Sequence, residues 1–406
     1  MASEASVVIL QLFAIFLGAK ILGGLGSLMR IPSVVGEIMA GVIIGNTFLR
    51  GTLRLDGDVE FLVILAELGV VFLIFTVGLE TPFEEMKRVG KTSTIVAITG
   101  VIVPFVAGYA IMTAMGAPSI EGFFLGAALV ATSVGITARV LAEMGVLGRT
   151  EARIILGAAV IDDVLGLMVL TVVQALGSGG ELSIASIVIL LVQALLFVGL
   201  LMYFGGRLVR RVLGPENWVA ARWEWASPKG AMFAIAVIVC LGLSAAAALI
   251  GLAAIIGAFV AGMAFAGTEQ RHDLVERFEG VVQFLTPFFF GYIGLQVDLA
   301  VAASVWKLAL LVTAAALLTK LVGCGLGAWA LGKRAAIAVG IGMMPRGEVG
   351  IIVALIGLSM HVIPDGLYAV VVAMSLLTTL VTPPLLVWAF NRLPGGAAAS
   401  ERSPSQ

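Results

Sequence analysis

The sequence predicts an all-α polytopic membrane protein of about 13 transmembrane helices, built as an inverted repeat of six helices with two crossed discontinuous helices. Three observations lead to this fold class. The chain of 406 residues is 60% hydrophobic and only 12% charged, with a mean hydropathy of +1.13, which is far from the balance of a soluble domain. Apolar stretches of spanning length follow one another along the whole chain. Short motifs of the first half also recur in the second half.

The spans come first, because their number and length define the fold. Each is long enough to cross a hydrocarbon core of about 30 Å at about 1.5 Å per residue. The first has no basic segment before it and runs too far for a cleavable signal, so we interpret it as a membrane helix. The thirteen stretches lie near residues 6–27, 31–48, 59–80, 92–115, 120–144, 151–177, 183–213, 229–249, 250–267, 276–298, 302–331, 335–360 and 366–391.

The distribution of lysine and arginine predicts the orientation. With the N-terminus outside, eighteen basic residues fall in cytoplasmic segments and three, Arg50, Arg54 and Lys307, fall outside. Because positive residues favour the cytoplasmic side, we expect an outer N-terminus, a cytoplasmic C-terminus and an odd number of spans. Lys20 is expected to snorkel towards the interface.

Two pairs of motifs indicate an internal repeat. GEIMAGVIIGNT in the second span resembles GAFVAGMAFAGT in the ninth, and FTVGLE at the end of the third resembles GYIGLQ in the tenth. Six spans, one linker span and six further spans place the two halves in opposite orientations. Inverted repeats of this kind are typical of secondary transporters.

The fifth and twelfth spans are interrupted at matched positions of the repeat. They contain ALVATSVGITARV and GIGMMPRGEVGII. Pro345 removes a backbone donor and Gly347 weakens the helix, while Thr132, Ser133 and Thr137 offer hydroxyls to freed backbone groups. The alternative is that each interruption only kinks a continuous membrane helix. Two breaks at matched positions favour crossed half-helices, whose free carbonyls can coordinate a cation.

Asp162 and Asp163 lie in the middle of the sixth span, and Lys320 lies at a similar depth in the eleventh. Placing a carboxylate at the centre of a membrane helix costs roughly 2.5 to 3.5 kcal/mol of insertion free energy. Folding alone does not require carboxylates at this depth. Carboxylates bind hard cations and also bind protons. Neighbouring helical residues point about 100° apart, so one aspartate is expected to face an ion cavity and the other Lys320. A purely structural ion pair is the alternative.

Other classes of function lack support in the sequence. The net charge of −1 and the absence of a basic block argue against nucleic acid. No Walker A, dinucleotide, HExxH or GxSxG motif is present, so we expect no cofactor and no enzyme activity. Cys240 and Cys324 lie in apolar runs and are interpreted as small buried side chains without a disulfide.

The segments AAVIDDVLGLM, ATSVGITARV, LLTKLVGCG and MMPRGEVGIIVA together resemble the cation:proton antiporter superfamily, specifically the bacterial NapA-type sodium/proton antiporters of its second family. The resemblance covers nearly the whole chain. It implies a mobile core domain, a dimerisation domain and a homodimer in the bacterial inner membrane. It also implies that Asp163 carries the cation and the proton, with Asp162 beside it and paired with Lys320 when no sodium is bound.

The resemblance implies further site residues. Thr132 and Ser133 match the unwound position near the ion, so that transported Na⁺ would bind Asp163, Asp162 and Thr132. Glu348 matches an acidic residue of the other broken helix. The predicted segments are scaffold helices with the start of the core at 1–91, core helices at 92–182, a linker at 183–228, the second scaffold at 229–301, the second core at 302–391 and a disordered tail at 392–406.

We therefore expect electrogenic exchange of Na⁺ or Li⁺ for H⁺ by alternating access. The alternatives are a potassium/proton exchanger, an intramembrane aspartyl protease and a cation channel. Arg346 and Glu348 are either a local ion pair or part of the transport site. Glu37 and Glu67 are interpreted as snorkelling or helix-contact residues without a chemical role, and Arg139 and Glu143 are placed at a cytoplasmic helix end.

Overall fold

The structure, a computed structural model, describes residues 4–29, 31–53, 55, 60–177, 192, 196, 228–250, 252–268, 270–297, 300 and 304–394, and in this part of the chain it is helical without strands. Nearly all of the predicted seventh span, 183–213, and most of the predicted tail lie outside these residues. The helices are α1 (Glu4–Leu28), α2 (Ser33–Gly45), α3 (Leu49–Thr52), α4 (Glu60–Leu79), α5 (Phe83–Ala114), α6 (Ser119–Val130), α7 (Val134–Glu143), α8 (Thr150–Gly177), α9 (Pro228–Leu249), α10 (Ala254–Phe265), α11 (Arg271–Leu295), α12 (Trp306–Gly327), α13 (Lys333–Gly342), α14 (Glu348–Ser359) and α15 (Asp365–Asn391).

Every predicted span apart from the seventh corresponds to a described helix or to a pair of half-helices. Nine helices within the described ranges, with α6 and α7 counted together, are long and apolar enough to cross a membrane. The largest difference is at α5, which begins at Phe83 rather than near residue 92. The polar turns after Phe83 continue the helix beyond its apolar stretch, so the predicted boundary between 91 and 92 falls inside a helix.

Prolines set several of the helix starts. Pro32, Pro82, Pro118 and Pro364 each lie directly before a helix, with ψ between 138° and 157°. This extended backbone is outside the helical region, and proline cannot donate a hydrogen bond to a preceding turn. Each of these prolines therefore ends the preceding connection and allows the next helix to begin at once.

The helices pack as two groups. Bundle A contains α1, α2, α4, α9, α10 and α11, and bundle B contains α5 to α8 and α12 to α15. Most helix contacts lie within a bundle, whereas α7 contacts α2 and α4 and α15 contacts α2 across the boundary, which we call the seam. Cys240 lies buried in bundle A and Cys324 lies buried in bundle B.

Bundle A shows the internal repeat in its backbone contacts. In the first half, a Cβ on Gly41 of α2 would overlap the carbonyl oxygen of Gly291 in α11. In the second half, a Cβ on Gly262 of α10 would overlap the carbonyl oxygen of Phe75 in α4. These two glycines occupy equivalent positions of the GEIMAGVIIGNT and GAFVAGMAFAGT motifs. Helix pairs that include small residues can approach this closely.

Candidate functional site

Asp162 of α8 and Lys320 of α12 form an ion pair inside bundle B. Lys320 Nζ donates to Asp162 Oδ1 at 3.0 Å and Oδ2 at 3.1 Å, and both side chains are 0% exposed. Gly100 of α5 faces them, since a Cβ there would lie 3.5 Å from Lys320 Nζ and 2.6 Å from the Cys324 sulfur. Each charge has lost its water, so each depends on the other for compensation.

Asp163 lies on a different side of α8, because successive helical residues point about 100° apart. Its side chain lines a cavity of about 10 Å³, which is large enough for about one water molecule. Bundle A contributes Ile74 of α4 and Ile255 of α10 to the wall, and bundle B contributes Val134 of α7. Asp163 therefore lies at the seam, whereas Asp162 faces the interior of bundle B.

The two helix breaks meet inside bundle B. The Ser133 N–H between α6 and α7 donates to the carbonyl of Pro345 between α13 and α14, at 2.8 Å. The Thr137 hydroxyl donates to the carbonyl of Gly342, at 2.7 Å. A Cβ on Gly347 would lie 2.7 Å from Ser133 Oγ. Backbone groups freed at one break are thus satisfied in part by the other, and glycine at position 347 permits their close approach.

Arg346 connects the crossing to the helix that carries Lys320. Its side chain is 0% exposed, and its guanidinium donates to the carbonyls of Ala131 at 3.0 Å and Ala316 at 3.2 Å. Ala131 follows α6, where helix carbonyls lack helical partners and the helix end carries partial negative charge. Arg346 therefore stabilises a half-helix end. The side chain of Glu348, the first residue of α14, lies outside the described part, so the alternative of a local pair with Arg346 stays untested.

Threonines of α15 hold the backbone of Arg346, and sequence reasoning missed them. Thr378 Oγ1 accepts from the Arg346 N–H at 3.2 Å, and the Thr379 hydroxyl donates to the Arg346 carbonyl at 2.8 Å. Both threonines are 0% exposed. The available signal was SLLTTLVT, a run with three threonines and a serine in an otherwise apolar span. Unwound backbone inside a membrane needs such partners.

Several buried hydroxyl oxygens around the breaks have no hydrogen-bond partner among the described residues. These are Thr132 Oγ1 and Ser133 Oγ at the first break, and Ser375 Oγ on α15. Buried polar atoms are normally paired, so an unsatisfied group needs an explanation. Oxygen ligands suit hard cations. Thr132 and Ser133 directly precede Val134 in the chain, and Val134 lines the same cavity as Asp163.

A polar network joins the two bundles at the C-terminal end of α7. Arg139 Nε of α7 donates to Glu143 Oε1 at 2.8 Å, and Arg139 also lies 4.0 Å from Glu37 of α2. The hydroxyl of Ser33 donates to Glu143 as well. Glu37 is only 2% exposed, so it makes a helix contact across the seam, while Glu67 on α4 is exposed. Arg139 and Glu143 lie at the end of α7, as the sequence predicts.

Lys20 is bound in a way that the sequence did not predict. Its ammonium donates to the carbonyl of Gln283 in α11 at 3.0 Å. In a regular helix that carbonyl would accept from residue 287, but Pro287 has no N–H to donate. Lys20 therefore satisfies the carbonyl that a proline leaves without a helical partner.

Comparisons with known proteins agree with this architecture. The family model described as "Sodium/hydrogen exchanger, transmembrane" matches residues 9–392. The chain is 34% identical to the "High-affinity Na(+)/H(+) antiporter NhaS3" of Synechocystis, covering 93% of this chain and 89% of the relative. It is 32% identical to the "Na(+)/H(+)-K(+) antiporter GerN" of Bacillus cereus, covering 94% and 96%.

The fold also matches a solved structure, that of the sodium proton antiporter MjNhaP1 from Methanocaldococcus jannaschii. The TM-score is 0.65 at 16% identity, over 98% of this chain and 99% of the other. At this identity the match shows the shared fold. The all-α polytopic fold that the sequence predicts is therefore confirmed. Together with the family model across nearly the whole length, these findings establish that the chain belongs to the sodium/hydrogen exchanger family of transmembrane transporters.

Proposed function

We propose that the chain exchanges Na⁺ or Li⁺ for H⁺ across the bacterial cytoplasmic membrane. The observation that carries this proposal is the divergence of two adjacent carboxylates. Asp162 is bound by Lys320 inside bundle B, while Asp163 lines a cavity between the bundles. One aspartate is thus held by a cation of the protein, and the other lies where a transported ion can reach it from the seam. The relative NhaS3, which is named as a Na⁺/H⁺ antiporter, supports the same cation.

In the proposed cycle, Na⁺ and H⁺ compete for Asp163. Na⁺ binds the ionised carboxylate together with the hydroxyls of Thr132 and Ser133, and it draws Asp162 away from Lys320. Protons leave both Asp163 and Lys320 when Na⁺ binds, so the cycle moves net charge. The energy comes from the opposing ion gradients, and the cycle requires neither a resident cofactor nor an enzymatic step. Glu348 lies in the second broken helix and is assigned to the same site.

The packing supports alternating access by movement of bundle B against bundle A. Helix contacts are concentrated within the bundles, and Asp163 lies at the seam. We place the N-terminus outside and the C-terminus in the cytoplasm. In this orientation the network of Glu37, Arg139 and Glu143 closes the cytoplasmic end of the seam. The exposed apolar face of α1, which includes Ile9 and Phe13, is proposed as part of a homodimer contact.

The geometry also bears on the alternatives. An aspartyl protease needs two carboxylates that face each other across a shared water, whereas Asp162 and Asp163 point in different directions and Asp162 is bound to Lys320. A fully buried ammonium beside the pathway opposes simple cation conduction. Potassium exchange stays open, because GerN is named as an antiporter that also involves K⁺.

The test is a transport assay in proteoliposomes with an internal pH dye. We expect Na⁺ and Li⁺ to drive proton movement and Asp163→Asn to abolish it, because an amide neither carries a proton nor supplies negative charge. Asp365→Asn, at the exposed start of α15, is the matched control and should keep full activity. Exchange at the normal rate by Asp163→Asn would refute the assignment of Asp163 to the ion-binding site. A response to K⁺ but not to Na⁺ would refute the assignment of Na⁺ as the transported cation.

A further inference from the structure

A second cavity lies at the cytoplasmic ends of α13 and α15, away from the aspartates. Its volume is about 520 Å³, within the range of cavities that hold small ligands. No acidic side chain lines it among the residues that the structure describes. Its lining residues are Lys333, Arg334, Ile337, Trp388, Ala389 and Arg392.

The basic side chains of this cavity differ from other cations on the same side of the protein. Arg139, Arg149 and Arg277 each pair with a carboxylate. Within the described ranges no carboxylate pairs with Lys333, Arg334 or Arg392, and all three are exposed. Three unneutralised cations around one cavity form a site for an anion.

The aromatic wall fixes the position of one cation. The guanidinium carbon of Arg392 lies 4.1 Å from the ring centroid of Trp388, and an arginine stacked on an indole ring is held by cation–π attraction. Trp388 is 44% exposed on the last turns of α15. Tryptophans at the ends of membrane helices lie at the depth of the lipid headgroups.

The local backbone adds positive potential beside Lys333 and Arg334. Gly332 has φ of 92°, a left-handed conformation that lets the chain turn sharply before α13 begins at Lys333. The N-terminus of a ten-residue helix, with its partial positive charge, therefore lies beside the side chains of Lys333 and Arg334. This contribution strengthens an anion site that the three cations and the aromatic wall already define.

We propose that this cavity binds the phosphate group of an anionic phospholipid from the cytoplasmic leaflet. Three cations and a helix N-terminus match a phosphodiester, and basic pockets between helices on this side of a membrane bind lipid headgroups. The apolar wall of Trp388 and Ile337 matches the glycerol and upper acyl region of a lipid rather than a soluble phosphate. If these three basic residues served only to set the orientation of the chain in the membrane, they would need neither a shared cavity nor an aromatic partner.

The experiment uses the full chain, purified in a neutral detergent and titrated with phosphatidylglycerol, phosphatidylcholine or inorganic phosphate, with the melting temperature as the readout. We expect phosphatidylglycerol to raise the melting temperature of the unmodified chain in a saturable manner. The triple variant Lys333→Gln, Arg334→Gln and Arg392→Gln should bind about a hundredfold more weakly, which corresponds to about fivefold per cation.

The matched control removes three other exposed cytoplasmic cations, in the triple variant Arg88→Gln, Lys91→Gln and Arg277→Gln, and should bind phosphatidylglycerol normally. Should the first triple variant fail to fold, the single variant Arg392→Gln is expected to show a fivefold loss. Equal binding by both triple variants would overturn the site. Stabilisation by inorganic phosphate, with none from phosphatidylglycerol beyond that from phosphatidylcholine, would overturn the assignment to a lipid.

Discussion

Replacing Lys320 by glutamine should destabilise the protein, because the Asp162 carboxylate would stay buried without a cation. Removing one partner of a buried ion pair typically costs about 3 to 5 kcal/mol. Both side chains are 0% exposed, so screening by water does not reduce this value. Glutamine keeps one amide donor near the carboxylate, and a hydrogen bond to a charged group recovers part of the loss. We expect a net loss of about 3 kcal/mol in the free energy of unfolding.

The double variant Lys320→Gln with Asp162→Asn provides the control. With both charges removed, two amides can bond to each other, and a buried pair is often no better than a neutral replacement. The double variant should therefore be more stable than Lys320→Gln alone, which gives a coupling energy of about 2 kcal/mol or more between the two positions.

The assay is equilibrium unfolding in detergent at neutral pH, with wild type, both single variants and the double variant compared. A second readout is the current carried by proteoliposomes at matched turnover, which should fall in Lys320→Gln because the lysine no longer releases a proton. If the two substitutions have simply additive effects on stability, the ion pair does not carry the charge compensation assigned to it. Unchanged current at full exchange rate would leave Lys320 with a structural role alone.

Two further predictions concern the breaks and the seam. Gly347→Ala would place a Cβ 2.7 Å from Ser133 Oγ, so we expect a loss of about 1 to 3 kcal/mol in stability and a marked loss of exchange, whereas Gly366→Ala, with open space around it, should behave as wild type in both assays. Arg139→Gln should free the C-terminal end of α7 from α2 at a cost of about 1 kcal/mol. Faster amide hydrogen exchange over residues 134–143 would reveal this, and no difference from the control Arg277→Gln would contradict it.

The depth of the charged residues in the membrane could be predicted from the sequence, because a helix rises by a fixed distance per residue. Counting along two spans placed Asp162 and Lys320 at one level, and the 100° step between neighbours separated Asp162 from Asp163. The ion pair and the different positions of the two aspartates are both present. The repeat motifs likewise predicted that the two breaks occupy equivalent places.

The contacts of Arg346 could not be predicted in the same way. Its acceptors are the carbonyls of Ala131 and Ala316, and a carbonyl has no sequence signature because every residue carries one. The partner of Lys20 is a carbonyl for the same reason. The early start of α5 was missed because hydropathy detects the membrane-embedded part of a helix and not its polar extension.

The glycine contacts of bundle A carry a consequence for how the chain tolerates substitution. Gly41 and Gly262 face backbone atoms of the neighbouring helix, and backbone cannot rotate away from an added methyl group. Gly135 at the seam instead faces side-chain atoms of Val70 and Phe289, at 3.1 and 3.3 Å, which can change rotamer. An alanine at Gly41 or Gly262 forces two helices of bundle A apart, whereas at Gly135 a moderate increase in side-chain size is absorbed locally. Functional variants should therefore tolerate a larger residue at Gly135 more readily than at Gly41 or Gly262, where the spacing between helices of bundle A is fixed by backbone contacts.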